Sequence, residues 1–363
     1  VSLATLHKRY GDPSKIVKKG KVKRRLTTTT TPVSKGKTEK SWKPTKDSKE
    51  AIKRGESLTT GRIGKADALA VSYKKAFNDY ETVAEKYFTL KPPEPYAAKY
   101  DIYRRGYKKG TSFEKDFEAY KKKRETLRGK YKTMKEKVRK IEVQGGKEME
   151  ALRKEALKST TSENQIKEAL DKLPFVNQKK ADRLKVRTEI KEFSKMFNGG
   201  GVTVDADTRR FMGGKITKVK LGTSRANNDA GEILVPWLDP KNSYMKKVAK
   251  QTVFHEVGHS LETVRQSILD MALDFRTSRV TSNIPTKSAK RVAKAWTLRE
   301  AVLPDKFITP YVGRPYEMFG GDVATEVISV GVEHFAHPEL MFRLYSIDRD
   351  HFHMILSLTR NAY

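Results

Sequence analysis

The run Val253-Phe254-His255-Glu256-Val257-Gly258-His259-Ser260 constrains this chain more than any other stretch. It reads H-E-x-x-H, and residues four apart on a helix share a face, so the two imidazoles aim at one point. Two neutral imidazoles at that spacing suit Zn²⁺. Glu256, between them, is then placed as a general base, taking a proton from a water whose pKa the metal lowers towards 7. A site of this kind also needs a third protein ligand from elsewhere in the chain and one position left open to water.

A third histidine in the extended form of the motif would need Gly at 262 and His at 265. The chain has Glu262 and Arg265 there, which excludes that class. An acidic ligand from a later helix is the alternative, with Glu300, Glu317, Asp322, Glu326 and Glu333 as candidates. Glu326 is favoured. It interrupts an apolar helix face between Val323, Val327 and Val330, and a carboxylate there is costly to bury unless paired or metal-bound. Hydrolysis also needs a donor for the developing oxyanion. Tyr316 lies ten residues before Glu326 in a loop and is the first candidate, with Tyr311 its rival and Arg314 a weaker one. Ser329, one turn past Glu326, can orient a ligand by hydrogen bonding. His334, His337, His351 and His353 read as surface or structural histidines.

Charge divides the chain differently from the motif. The net charge is +32, yet residues 1–199 hold 53 Lys and Arg against 26 Asp and Glu, whereas residues 200–363 hold 23 against 18. A polycationic half beside a near-neutral half predicts contact with a polyanion, either nucleic acid or an acidic protein surface, through residues 1–199. There is no Cys, so a disulfide scaffold and a cysteine zinc site are both excluded. No apolar run approaches the roughly 18 residues a membrane helix needs, and the N-terminus lacks a signal-peptide core. The expectation is a soluble protein in an intracellular or particle-enclosed setting, with no membrane partner.

Three parts are expected. Residues 1–60 form a basic, flexible arm, with the cluster Lys18-Lys19-Gly20-Lys21-Val22-Lys23-Arg24-Arg25 and too little apolar surface to offset chain entropy. Residues 61–199 form a basic helical, coiled-coil-like region. Helices are predicted at 65–90 and 96–107, and a heptad seam runs through Phe113, Phe117, Tyr120, Arg124, Leu127, Tyr131, Met134, Val138 and Ile141. Gly145-Gly146 interrupts that seam, and Met149, Leu152 and Ala156 resume it. Further helices are expected from Ser162 to Leu173, where Ser162 and Gln165 form a capping box, and from 181 to 197. Residues 200–363 then form a domain with short strands around Val202–Val204, Ile216–Leu221 and Ile233–Val235, a long motif helix over 244–275, and helices near 289–298, 321–336 and 348–358. The fold class expected is α+β, mainly helical, with a small sheet beside the motif helix.

Three blocks of residues 200–363 resemble the gluzincin-type metallopeptidase domains of phage and prophage head-associated proteins. They are His255-Glu256-Val257-Gly258-His259-Ser260-Leu261-Glu262, Pro310-Tyr311-Val312-Gly313-Arg314-Pro315-Tyr316 and Ala324-Thr325-Glu326-Val327-Ile328-Ser329-Val330-Gly331. The tail Asp350-His351-Phe352-His353-Met354-Ile355-Leu356 is similar to that family's closing helix. Val330 departs from the pattern, since the family more often has Met there. The resemblance implies a zincin-like domain with His255, His259 and Glu326 as zinc ligands, Glu256 as general base and a tyrosine near the metal. It also implies a phage or prophage source. The function expected is a virion-associated zinc endopeptidase acting on a protein substrate. The alternative is an internal head protein that binds DNA, capsid or portal subunits through its basic half. The location expected is the virion interior, or otherwise the host cytoplasm.

Overall fold

Aromatic and alanine positions at helical spacing pair the first two long helices. The computed structural model describes residues 47–91, 112–158, 163–172, 180–197, 243–264, 266–279, 307–313 and 321–359, together with short extended runs between 175 and 318. All of these lie within one compact unit, Ser41–Tyr363, which holds both parts expected at 61–199 and 200–363. Helix α1 is Ser48–Thr59, α2 Gly64–Thr89 and α3 Ser112–Ala156. Partners run in opposite directions along the two helices: Arg62, just ahead of α2, with Glu155, then Tyr73 with Glu142 and Tyr80 with Tyr131. The two helices are therefore an antiparallel hairpin. Its seam is built from buried Ala66, Ala70, Tyr73 and Ala76 and from rings of Tyr80, Tyr87 and Tyr131 packed at 5.4–5.6 Å.

Helix α3 runs 45 residues without a break, straight through Gly145-Gly146. The expected interruption is absent because these glycines serve close approach. A Cβ on Gly145 would collide with the Phe342 ring, and one on Gly146 would lie 2.9–3.0 Å from Glu339. Both partners sit on a helix that the sequence pattern had not indicated, Pro338–Ile347. Glu142, one turn before, is buried and accepts from Tyr73 Oη at 2.6 Å and Arg343 Nε at 2.8 Å, joining three helices.

The later helices are α4 Glu163–Lys172, α5 Lys180–Met196, α6 Ser243–Val264, α7 Gln266–Arg279, α8 Val327–His334, α9 Pro338–Ile347 and α10 Arg349–Ser357. The motif helix expected over 244–275 is described as α6 and α7, with residue 265 between them outside the described residues. Rings of Phe193, Phe197, Phe254, Phe335 and Phe352 link α5, α6, α8 and α10 in one buried chain of contacts at 4.7–6.1 Å. Arg153 of α3 donates from Nε to Phe335 O and from Nη2 to Ala336 O, both at 3.1 Å, so a cation satisfies the two carbonyls that follow the last residue of α8. It also pairs with Glu192, to which Lys250 donates at 2.6 Å.

Two expectations are corrected. Residues 48–59, inside the flexible arm expected over 1–60, form a helix. Asp47 caps it by accepting from Lys49 N at 2.8 Å, and Asp274 of α7 accepts from both Ser48 N and Ser48 Oγ. Ala51 is fully buried, and Thr59 Oγ1 lies 3.4 Å from His353 Nε2 of α10. The rest of the expected arm, 1–46, is outside the described residues. The α+β class with a small sheet beside the motif helix is also corrected, because the described residues are mainly helical, with ten α-helices against extended runs of two to five residues. Backbone pairing occurs in runs of two to five residues, such as Lys218–Gly222 beside Glu232–Pro236. The packing that the described side chains of α6 show is against helices: Phe254 meets the Phe193 ring of α5 at 5.2 Å, and Gly258 admits Val332 of α8. The helices expected at 96–107 and 289–298 lie outside the described residues. Among the described residues, no helix is long and apolar enough to cross a membrane.

Candidate metal centre

The i, i+4 spacing on α6 puts the His255 and His259 rings 5.0 Å apart and nearly perpendicular, at 83°. Across from them stands Glu326. Its carboxylate is fully buried, and one oxygen, Oε2, lies 3.2 Å from His255 Nε2 and 3.4 Å from His259 Nε2. The three residues form a group that can hold a metal ion, with their ligand atoms all within 4.8 Å of one another. Glu326 does not sit within a helix face as the apolar pattern suggested. It is the residue just before α8, and its side chain makes no capping bond there. That role falls to Thr325, whose Oγ1 accepts from Val327 N at 3.0 Å, and so the Glu326 carboxylate is left to face the histidines.

Each ligand is held from behind. Glu333 Oε2 lies 2.9 Å from His255 Nδ1, which fixes the proton on Nδ1 and turns the Nε2 lone pair towards Glu326. Ser329 Oγ donates to Glu326 Oε2 at 2.8 Å. Glu262, one turn beyond His259, is buried and accepts from Thr325 N at 2.6 Å and from Thr325 Oγ1, so α6 itself anchors the residue next to Glu326. Burial pushes the Glu262 carboxyl up to about 8, with the Thr325 bonds working against that rise. Gly258 sets the approach of α8 to α6, since a Cβ there would stand 2.5 Å from Val332 Cγ2 and 2.9 Å from Ser329 Cα.

The electrostatics ask for a cation. Burial disfavours a charge on His255, yet hydrogen bonds to Glu326 and Glu333 outweigh it and raise the imidazole pKa well above its ordinary value. Two imidazole nitrogens and one carboxylate oxygen, turned towards each other in a buried space, repel unless a proton or a metal ion lies between them. The donor set of two nitrogens and one oxygen, oriented by a carboxylate behind one imidazole, fits zinc chemistry.

Glu256 is buried on the same helix, 5% exposed. Tyr311 lies on the 3-10 turn Pro310–Gly313, with its ring 6.2 Å from the His255 ring. Tyr316 starts the short extended run Tyr316–Met318, and its side chain is outside the described ones, as are those of Glu317 and Asp322. Arg314 and Glu300 are outside the described residues altogether. Of the five acidic candidates, Glu326 reaches both histidines, whereas Glu333 supports one of them from behind. The pattern reading missed Glu262 and Thr325. The available signal was phase, because Glu262 is seven residues from His255 and three from His259, on the same buried helix face. His351 and His353 are buried and structural: the His351 ring is 0% exposed, with Nε2 donating to Val327 O at 2.7 Å.

No family model matches the sequence, and neither a curated protein nor a solved structure matches the chain.

Proposed function

We propose that the chain is a zinc-dependent metallopeptidase, with His255, His259 and Glu326 as the metal ligands. The observation that carries this reading is the convergence of His255 Nε2 and His259 Nε2 on one Glu326 oxygen at 3.2 and 3.4 Å. When bound, zinc would polarise the scissile carbonyl and bring the pKa of water down towards 7. Glu256 takes the proton of the attacking water and delivers it to the leaving amine, a role served by its position one residue from His255 and its burial away from bulk solvent. Glu333 keeps the His255 ring in the tautomer that offers Nε2. A tyrosine hydroxyl donates to the oxyanion. Tyr311 is the described tyrosine beside a ligand, and Tyr316 follows it in the same segment.

The substrate class is a peptide. The setting we propose is a phage virion, in association with its head, on the resemblance of the three sequence blocks; the neighbours there would be capsid or portal proteins. The test is cleavage of a fluorogenic peptide library by the wild type, Glu256→Ala, Tyr311→Phe and Tyr316→Phe, with zinc content measured on each. The wild type is expected to cleave. Glu256→Ala should keep its zinc and lose at least about 100-fold in rate, the contribution of a general base. A zinc-loaded wild type with no cleavage of any peptide in the library would sink the enzymatic reading and leave a metal-stabilised fold.

A further inference from the structure

The α2–α3 hairpin carries a second feature, far along the chain from the metal centre. Between positions 121 and 140 of α3 there are eleven Lys and Arg and two Glu. All eleven cations are solvent-exposed. The usual fate of such a run is a solvated helix surface, but five of these residues are ordered into a stripe. Lys121, Arg128, Lys132, Lys135 and Arg139 follow one another at spacings of seven, four, three and four, so they lie along one side of the helix over about 27 Å.

That side is a wall of a groove. A cavity of about 330 Å³ lies between α2, α3 and α9, in the range of small-ligand sites. Its walls include Lys132, Lys135, Arg139 and Arg343, with Phe77 and Tyr80 facing them. Phe88, eleven residues on from Phe77 and so on the same side of α2, is 48% exposed, with its ring 5.5 Å from that of Tyr131. One wall is thus cationic and the other aromatic. Two carboxylates also line the cavity. Glu142 is already bonded to Tyr73 and Arg343, and Glu136 lies 3.8 Å from Arg139. Lys121 and Arg128 have similar exposed partners, Glu118 and Glu125. Exposed pairs of this kind are weak and give way to a phosphate.

We infer that this groove binds single-stranded nucleic acid, with the phosphates along the Lys121–Arg139 stripe and bases against Phe77, Tyr80 and Phe88. A single strand offers both chemistries at once, an anionic backbone and free π faces. A duplex hides its bases, and an acidic peptide has no repeated planar face. The inference does not depend on the metal centre.

The test is fluorescence anisotropy on the full chain, from about 50 to about 200 mM salt. The probes are a labelled oligothymidylate of roughly 20 nucleotides and a duplex of the same length. Lys132→Glu/Lys135→Glu is expected to weaken oligothymidylate binding at least about tenfold and to reduce the log–log salt slope by about 1.4, at 0.7 per phosphate contact. Lys122→Glu/Lys140→Glu makes the same charge change on the side of α3 turned away from α2, and it should cost much less. Phe88→Ala removes a half-exposed ring at the edge of the hairpin seam, where it packs on Tyr131, and it should weaken the single strand about tenfold while leaving the duplex unchanged. Circular dichroism melts confirm that each variant is folded. Equal losses from the two lysine pairs would reduce the effect to bulk charge and overturn the inference. So would a duplex that binds as tightly as the single strand and suffers equally from Phe88→Ala.

Discussion

Replacing Gly258 with Ala sets two effects of opposite sign against each other at the centre of the site. Gly258 is interior to α6, where Ala is intrinsically favoured by about 0.5–1 kcal/mol because it loses less backbone entropy. Against this, the new methyl would sit 2.5 Å from Val332 Cγ2 and 2.9 Å from Ser329 Cα. Val332 is fully buried, and the Ser329 atom is backbone, so neither can turn aside. To bring the 2.5 Å approach out to ordinary contact, α6 and α8 must part by about 0.9 Å, and overpacking of this kind costs about 1–3 kcal/mol. The clash should win, with a net loss of about 1–2 kcal/mol. The same movement carries Ser329 and the start of α8 away from the histidines, so zinc affinity should fall about tenfold or more. Gly129→Ala is the control. Gly129 is an exposed position of α3 with nothing within 4 Å of its would-be Cβ, and Ala there should stabilise by about 0.5–1 kcal/mol. Urea unfolding followed by circular dichroism, with zinc competition against a chromophoric chelator, reads both quantities. A Gly258→Ala protein at least as stable as the wild type, with unchanged zinc affinity, would refute the close packing of α6 on α8.

Glu333→Gln keeps a hydrogen-bond acceptor but removes the charge behind His255 Nδ1, and it should weaken zinc binding about 10–100-fold with little change in the melting curve. Tyr73→Phe strips a hydrogen bond from buried Glu142, which keeps Arg343; the expected loss in urea unfolding is about 1.5 kcal/mol, the lower end for a bond to a charged group. Burial holds His351 down to about 4 against an unfolded value of 6.5. The folded state therefore refuses a proton that the unfolded state accepts. Its contribution is fully present above pH 6.5 and is lost as pH falls from there to about 4, by roughly 3.5 kcal/mol in all at about 1.4 kcal/mol per unit. His351→Gln, which can still donate to Val327 O, should flatten that acid limb in pH-dependent unfolding, and an unchanged limb would place the proton uptake elsewhere.

The legible parts of this molecule are the local ones. His255 and His259 announce their common face through spacing alone, and Glu326 stands out as a carboxylate among valines. The α2 helix could be read from Tyr73, Ala76, Phe77 and Tyr80. Gly145-Gly146 misled because a glycine pair that breaks a helix and one that admits a neighbour look alike. The deciding partners, Glu339 and Phe342, are almost two hundred residues away. The arm was drawn too long for a similar reason, since the bonds that hold α1 come from Asp274 and His353. Strand-like alternation after residue 200 suggests a sheet beside the motif helix, but the packing that the described side chains of α6 show is on helices, through Phe193 and the close approach of α8 at Gly258. Glu262 was visible only as a residue that ruled out another ligand class. Its role depends on Thr325, which the fold alone brings within reach.

The most direct measurement is the metal content of the natively purified chain, by mass spectrometry of the elements, with X-ray absorption at the zinc edge. One zinc per chain is expected, bound by nitrogen and oxygen only, and lost in both His259→Ala and Glu326→Ala while the helical circular dichroism signal stays. A chain that carries no zinc and takes up none when it is offered, or one whose zinc survives both substitutions, would contradict the assignment of His255, His259 and Glu326.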